Sequence, residues 1–207
     1  MNGMKVVSVA ALAVVGAITV GGAMLVNSMG PKEAAVTSRP TDNGITFGGP
    51  FSMTDVATGK TFTQADLQGK PTVMFFGYTY CPDVCPTTLS DISTLLEEMG
   101  GDADKLSVVF VSIDPERDTA DKMKKYLSYF DKRIVGLVGT DEELAAMAKA
   151  YGVYYERVPG KDGSAYTMNH TATVYLLDAK GDFKGTIDYQ ENQKTALAKL
   201  EHLARSG

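Results

Sequence analysis

The sequence contains two cysteines, two histidines and no run of basic residues, and each shortage narrows what the chain can do. Without clustered Lys and Arg, and with a net charge of −5, it lacks the means to grip a phosphate backbone, which excludes a nucleic-acid partner. Two cysteines are too few for an iron–sulfur cluster, which usually takes about four. No internal repeat or low-complexity tract is present, so the chain is not a repeat array. Its 44% apolar and 22% charged content is that of a globular protein rather than a disordered one.

Charge is also missing locally. From Val6 to Val26 there is no charged residue, only a run dominated by Val, Ala, Ile and Gly. A bilayer-crossing helix needs about 20 apolar residues, whereas the apolar part of a cleaved signal is usually about 7–15 long. Residues 1–26 are therefore expected to form an N-terminal membrane anchor, one transmembrane helix, in preference to a cleaved signal. Either way the remainder leaves the cytoplasm; a single pass through the inner (cytoplasmic) membrane with a periplasmic or extracytoplasmic domain is expected. Residues 27–43, with Gly30, Pro31, Arg39 and Pro40, read as a polar linker, leaving 44–207 as the globular domain.

Within that domain, Thr72–Phe76 is a short apolar run bounded by Gly69-Lys70-Pro71 and Gly77, as a buried strand should be. Pro86–Met99 reads as a helix with the stripe Leu89, Ile92, Leu95, Leu96, stopped at Gly100-Gly101. Leu106–Ile113 is predicted as a second buried strand, and 119–130 as a helix capped by Asp118 or Thr119. Ile134–Val138 then gives a strand and Asp141–Tyr151 a helix with acidic residues in its first turn. A hairpin of 172–177 with 183–189 and a last helix over 191–204 complete the set, with short strands at 51–53 and 61–62 in front. Alternating strands and helices, then a hairpin and a closing helix, predict an α/β domain with a mixed sheet flanked by helices, in the thioredoxin-like order.

Both cysteines fall in Gly77-Tyr-Thr-Tyr-Cys81-Pro-Asp-Val-Cys85-Pro86, where the first strand ends and the first helix begins. A disulfide there would close a tiny loop and constrain the unfolded chain little, so stability is a poor reason for the pair. The positive end of a helix favours thiolate, the form that attacks a disulfide or binds a metal. A spacing of i, i+4 on a helical turn would set both sulfurs on one face. Thioredoxin-type oxidoreductases space their cysteines by two residues, whereas here Pro82, Asp83 and Val84 intervene. Soft thiolates select Cu(I) or zinc, and a structural zinc site wants about four protein ligands. Copper, content with fewer, suits this inventory best.

Of the two histidines, His202 lies late in the last predicted helix and reads as a surface residue. His170 stands just before a buried strand, in a loop that faces the cysteine site in a thioredoxin-like domain. Asp83, between the cysteines, either modulates their charge or simply occupies an exposed turn. Glu116, Arg117 and Asp118 read as a turn and a helix cap, and Met168 as packing.

Three segments together resemble the Sco (SenC/PrrC) family of copper-binding cytochrome c oxidase assembly proteins: Tyr80-Cys-Pro-Asp-Val-Cys-Pro86, Val111-Ser-Ile-Asp-Pro-Glu-Arg-Asp-Thr119, and Asn169-His-Thr-Ala-Thr-Val-Tyr-Leu-Leu177. The resemblance covers about residues 45–205 and includes the N-terminal anchor. It implies Cys81, Cys85 and His170 as ligands of a copper ion, Cu(I) or Cu(II), and places Asp114 beside the site or as an occasional oxygen ligand. It implies as partner the copper subunit (subunit II) of cytochrome c oxidase, whose CuA centre the family helps to assemble, with other copper chaperones or thiol reductants as further partners. A monomer is expected. Tyr80 stands where many members carry His, and Asn169 where an Asp often precedes the ligand His. Two functions remain open: a copper chaperone, and a membrane-tethered thiol-disulfide oxidoreductase with Cys81 attacking and Cys85 resolving. Peroxidase and sensor readings are weaker.

Overall fold

The structure is a computed structural model that describes residues 39–40, 46–161 and 165–206. The expected membrane anchor over 1–26 lies outside the described residues, as does the linker over 27–43 apart from Arg39–Pro40. Among the described residues no helix is long and apolar enough to cross a membrane. Arg39–Pro40 (β1) pairs antiparallel with Thr46–Phe47 (β2).

A seven-stranded mixed sheet forms the centre, in the order Phe183–Ile187 (β11), Val174–Leu177 (β10), Thr72–Gly77 (β5), Ser107–Ser112 (β6), Ile134–Val138 (β7), Ser52–Asp55 (β3), Thr61–Thr63 (β4). Its middle strands are Thr72–Gly77 (β5), Ser107–Ser112 (β6) and Ile134–Val138 (β7), paired in parallel. Every residue of β5 is buried, and of β6 all but the first. Strands so covered need helices over both faces, which is why their sequences run apolar without alternation. Antiparallel strands close the edges: Ser52–Asp55 (β3) with Thr61–Thr63 (β4) on one side, Val174–Leu177 (β10) with Phe183–Ile187 (β11) on the other. This is the thioredoxin-like arrangement that the order of elements predicts.

Among the described residues, four α-helices flank the sheet. Val84–Glu98 (α1) buries Cys85, Leu89, Ile92, Leu95 and Leu96 and packs against Gln193–Arg205 (α4). Ala120–Leu127 (α2) packs on β7, where Gly136 leaves room: an added Cβ would lie 2.6 Å from Leu127 Cδ1. Asp141–Ala150 (α3) starts at a capping box in which Thr140 and Glu143 satisfy each other's backbone N–H groups.

Two local readings are corrected and one is resolved. The first helix begins at Val84, two residues before Pro86, because Asp83 takes the cap position. Of the two cap candidates, Thr119 caps α2, accepting from the Lys122 N–H. The region before β10, read as a loop, is an antiparallel hairpin of Tyr155–Val158 (β8) and Thr167–His170 (β9), separate from the main sheet, so His170 is a strand residue. Strand β9 is polar and only one of its residues is buried, so it carries none of the apolar signal that reveals a core strand.

Candidate metal centre

The ends of β5 and β6 bring two loops to one edge of the sheet. The loop after β5 runs Tyr78 to Asp83, and the loop after β6 runs Ile113 to Thr119. Parallel sheets gather their functional groups at such carboxyl ends. Cys85 sits in the first turn of α1 and is fully buried, whereas Cys81 lies before the helix and is half-buried. The two are thus not on one helical face, contrary to the i, i+4 expectation. They meet because the chain turns at Pro82 and Asp83, so that Cys81 Sγ accepts the Cys85 backbone N–H at 3.3 Å. A sulfur occupies the place where a capping oxygen usually satisfies a helix N-terminus.

The hairpin delivers the third group. His170 Nε2 lies 3.5 Å from Cys85 Sγ, and the candidate ligand atoms of Cys81, Cys85 and His170 all lie within 4.8 Å of one another. His170 Nδ1 is 2.9 Å from the Thr171 carbonyl oxygen. A carbonyl only accepts, so Nδ1 carries a proton, and Nε2 is the ring nitrogen turned toward the sulfurs. The ring stands edge-on to Tyr78, centroids 5.9 Å apart, and 6.2 Å from Phe75. These neighbours leave one nitrogen and two sulfurs converging on one point, a donor set matched to a soft, low-coordinate metal ion.

Both thiols are free. The Cys85 thiol donates to Cys81, which holds Cys81 down at about 4; His170 and the backbone N–H groups of Cys85 and Asp83 act in the same direction against burial. For Cys85 that same donation, then burial, push the thiol well up. The pair therefore holds one thiolate and one thiol near neutral pH, and the thiolate is the more accessible sulfur.

Asp114 is buried and does not join the three-residue group. Its Oδ1 accepts from the Tyr166 hydroxyl at 2.7 Å and its Oδ2 from Arg117 Nε at 2.5 Å. Asp83 is exposed at the start of α1, its carboxylate receiving Thr87 Oγ1 at 3.4 Å. His202 is exposed on α4, and Met168 is buried in the core.

The sequence reading missed the frame behind the site. Asp118 is 2% exposed and accepts from the Thr79 N–H at 3.1 Å, the Thr79 hydroxyl at 2.5 Å and the Ser112 hydroxyl at 2.7 Å. It ties the cysteine loop to β6. Burial raises its carboxyl, opposed by those donors. Arg117 stacks over Tyr166 at 3.6 Å and donates to the Tyr166 carbonyl at 2.8 Å, fixing the hairpin. Tyr78 accepts the Met168 N–H at 3.3 Å, one more tie to β9. A Glu-Arg-Asp run beside a turn gave no sign of this, since the partners lie far off in sequence.

Comparison with known proteins agrees with the geometry. The chain is 39% identical over 155 residues to the human "Protein SCO1 homolog, mitochondrial", covering 73% of this chain and 50% of that protein. It is 35% identical over 158 residues to "Protein SCO2, mitochondrial" of Saccharomyces cerevisiae, covering 75% and 52%. The chain thus spans about half the length of the curated relatives it matches. The solved structure of Bradyrhizobium japonicum ScoI with copper bound is 50% identical, with a TM-score of 0.70 over 76% of this chain and 99% of that one. Residues 39–205 match the SCO1/SenC family, and the chain belongs to it.

Proposed function

We propose that the protein is a copper chaperone that holds one copper ion through Cys81, Cys85 and His170 and passes it to the CuA site of cytochrome c oxidase subunit II. The observation that carries this reading is the convergence of two sulfurs and an imidazole nitrogen within 4.8 Å. The half-buried Cys81 gives an incoming thiolate a point of attack, so Cu(I) can leave by ligand exchange with no change of oxidation state. The long apolar run at Val6–Val26 supports a single-pass anchor that keeps the copper domain on the extracytoplasmic side, where that subunit's copper centre is assembled.

The test is an anaerobic Cu(I) titration of the reduced protein against a competing chelator, beside Cys81→Ser, Cys85→Ser, His170→Ala and His202→Ala. One copper per chain, weakened at least about tenfold in the first three variants and unchanged in the fourth, is expected. Wild-type affinity in His170→Ala would sink the three-ligand site.

A second reading rests on the thiolate–thiol pair. Cys81 would attack a partner disulfide, releasing one partner thiolate and forming a mixed disulfide. Cys85 would then displace Cys81's partner, leaving a Cys81–Cys85 disulfide and a partner dithiol, a two-electron exchange. His170→Ala separates the readings, because disulfide exchange needs only the two sulfurs.

A further inference from the structure

The loop that carries the copper-exchanging sulfur has a distinctive neighbourhood beside α2. There Thr79, Tyr80, Lys122, Lys125, Tyr126 and Tyr129 line a shallow depression between the cysteine loop and α2. Tyr80, next to Cys81 in sequence, is 52% exposed, and Tyr129 is 75% exposed. Aromatic rings this open are unusual for surfaces that face only water, and Tyr is enriched where proteins meet.

The charge of this face is one-sided. Lys122 and Lys125 line it, and no carboxylate does. Lys122 Nζ lies 5.4 Å from the Tyr80 ring centroid and donates to the Arg117 carbonyl at 3.1 Å, while the Arg117 guanidinium lies 4.9 Å from the same ring. Among the described residues neither lysine has a carboxylate within ion-pair distance. Asp118, which holds Thr79 of this face, is buried and occupied by Thr79 and Ser112. On a chain of net charge −5, a patch whose two lysines carry no ion pair and whose Tyr80 and Tyr129 rings are exposed is an anomaly that a partner would resolve.

We infer that this face, Tyr80, Tyr129, Lys122 and Lys125, is where an acidic surface of the copper-exchanging partner docks, laying its metal-site ligands against Cys81. The inference rests on the copper-exchange reading and adds the partner's chemistry: carboxylates grouped around an apolar contact. The lysines guide the encounter and the tyrosines supply buried area once contact is made. Charges at the rim of such a contact act on the association rate and its salt dependence more than on the final affinity.

The experiment follows Cu(I) transfer from the full chain to a soluble apo CuA domain by stopped flow at several ionic strengths. The wild type is compared with Lys122→Glu/Lys125→Glu and with Tyr129→Ala. The wild-type second-order rate should fall as salt rises. The double reversal should slow transfer at low salt at least about tenfold and flatten the salt dependence, with Cu(I) affinity unchanged by chelator competition. Tyr129→Ala should slow transfer while keeping the wild-type salt slope. If the reversed variant transfers copper at the wild-type rate and slope, the docking face is wrong and copper exchange stands. If the wild type binds no copper, the functional reading fails and this inference with it. If the reversal leaves transfer intact yet abolishes self-association or adsorption to anionic vesicles, the face belongs to a second copy or to a lipid surface, and the inference is overturned.

Discussion

Cys81 Sγ accepts the backbone N–H of Cys85 at 3.3 Å, so the half-buried member of the cysteine pair caps the helix that carries the fully buried one. Sulfur is a weak acceptor unless it is charged, and the contact therefore favours thiolate at Cys81. With the Cys85 thiol and His170 acting in the same sense, the group stays ionised until pH falls through about 4, instead of gaining its proton below the ordinary 9.0.

The first prediction follows from that sign. In the metal-free protein, iodoacetamide should label Cys81 at pH 6 within about twofold of its rate at pH 8, and the rate should drop only on approach to pH 4. Cys85 should stay unlabelled in the folded state, since it is fully buried. Peptide mass mapping across a pH series reads both. A rate that climbs about tenfold per pH unit between 7 and 9 would show an ordinary thiol at Cys81.

Gly77, the last residue of β5, is fixed by what an added Cβ would meet: Cys85 Sγ and Phe110 Cε2, each at 2.8 Å. Gly77→Ala should cost about 1–3 kcal/mol by urea unfolding and displace the Cys85 sulfur. Cu(I) affinity should fall at least tenfold, on the order of 1.4 kcal/mol. Wild-type stability and affinity together would mean the sulfur is free to shift.

Asp118 serves three donors from Thr79 and Ser112 in a buried setting. Asp118→Ala orphans all of them and should lower unfolding stability by about 3 kcal/mol at unchanged urea m-value. Asp118→Asn keeps an acceptor oxygen and should recover part of the loss. Equal losses in the two variants would point to the charge rather than to the hydrogen bonds.

Tyr166→Phe removes the hydroxyl that donates to Asp114 at 2.7 Å and leaves the ring stacked between Arg117 and Arg157. Global stability should change by about 1 kcal/mol, while amide exchange across Thr167–His170 speeds several-fold, because the hairpin loses a tether to the sheet. Exchange at wild-type rates there would mean that the Arg117 contacts alone hold His170 in place.

Most of the frame was readable along the chain. The apolar runs of β5, β6 and β7 and the Leu-Ile stripe of α1 are local patterns imposed by burial, and they placed those elements within about two residues. The cysteine pair was legible because strand end, turn and helix start follow one another within Gly77–Pro86. Its geometry was not: the helix begins at Val84, so the sulfurs meet across a turn instead of along a helical face.

Sequence alone therefore determined the α/β class, the position of the two thiols at the carboxyl end of a buried strand, and His170 as the nitrogen donor to test, since each depends on residue type and short-range order. Only the tertiary structure decided that His170 belongs to a separate hairpin and turns Nε2 toward Cys85. It alone showed that Asp118, 39 residues from Thr79, holds the two loops together, and that Asp114, 52 residues from Tyr166, ties the second of them to the hairpin. Such ties join residues with no periodic relation to one another. They exist only because the sheet brings the ends of β5 and β6 side by side, where a buried carboxylate must find its donors.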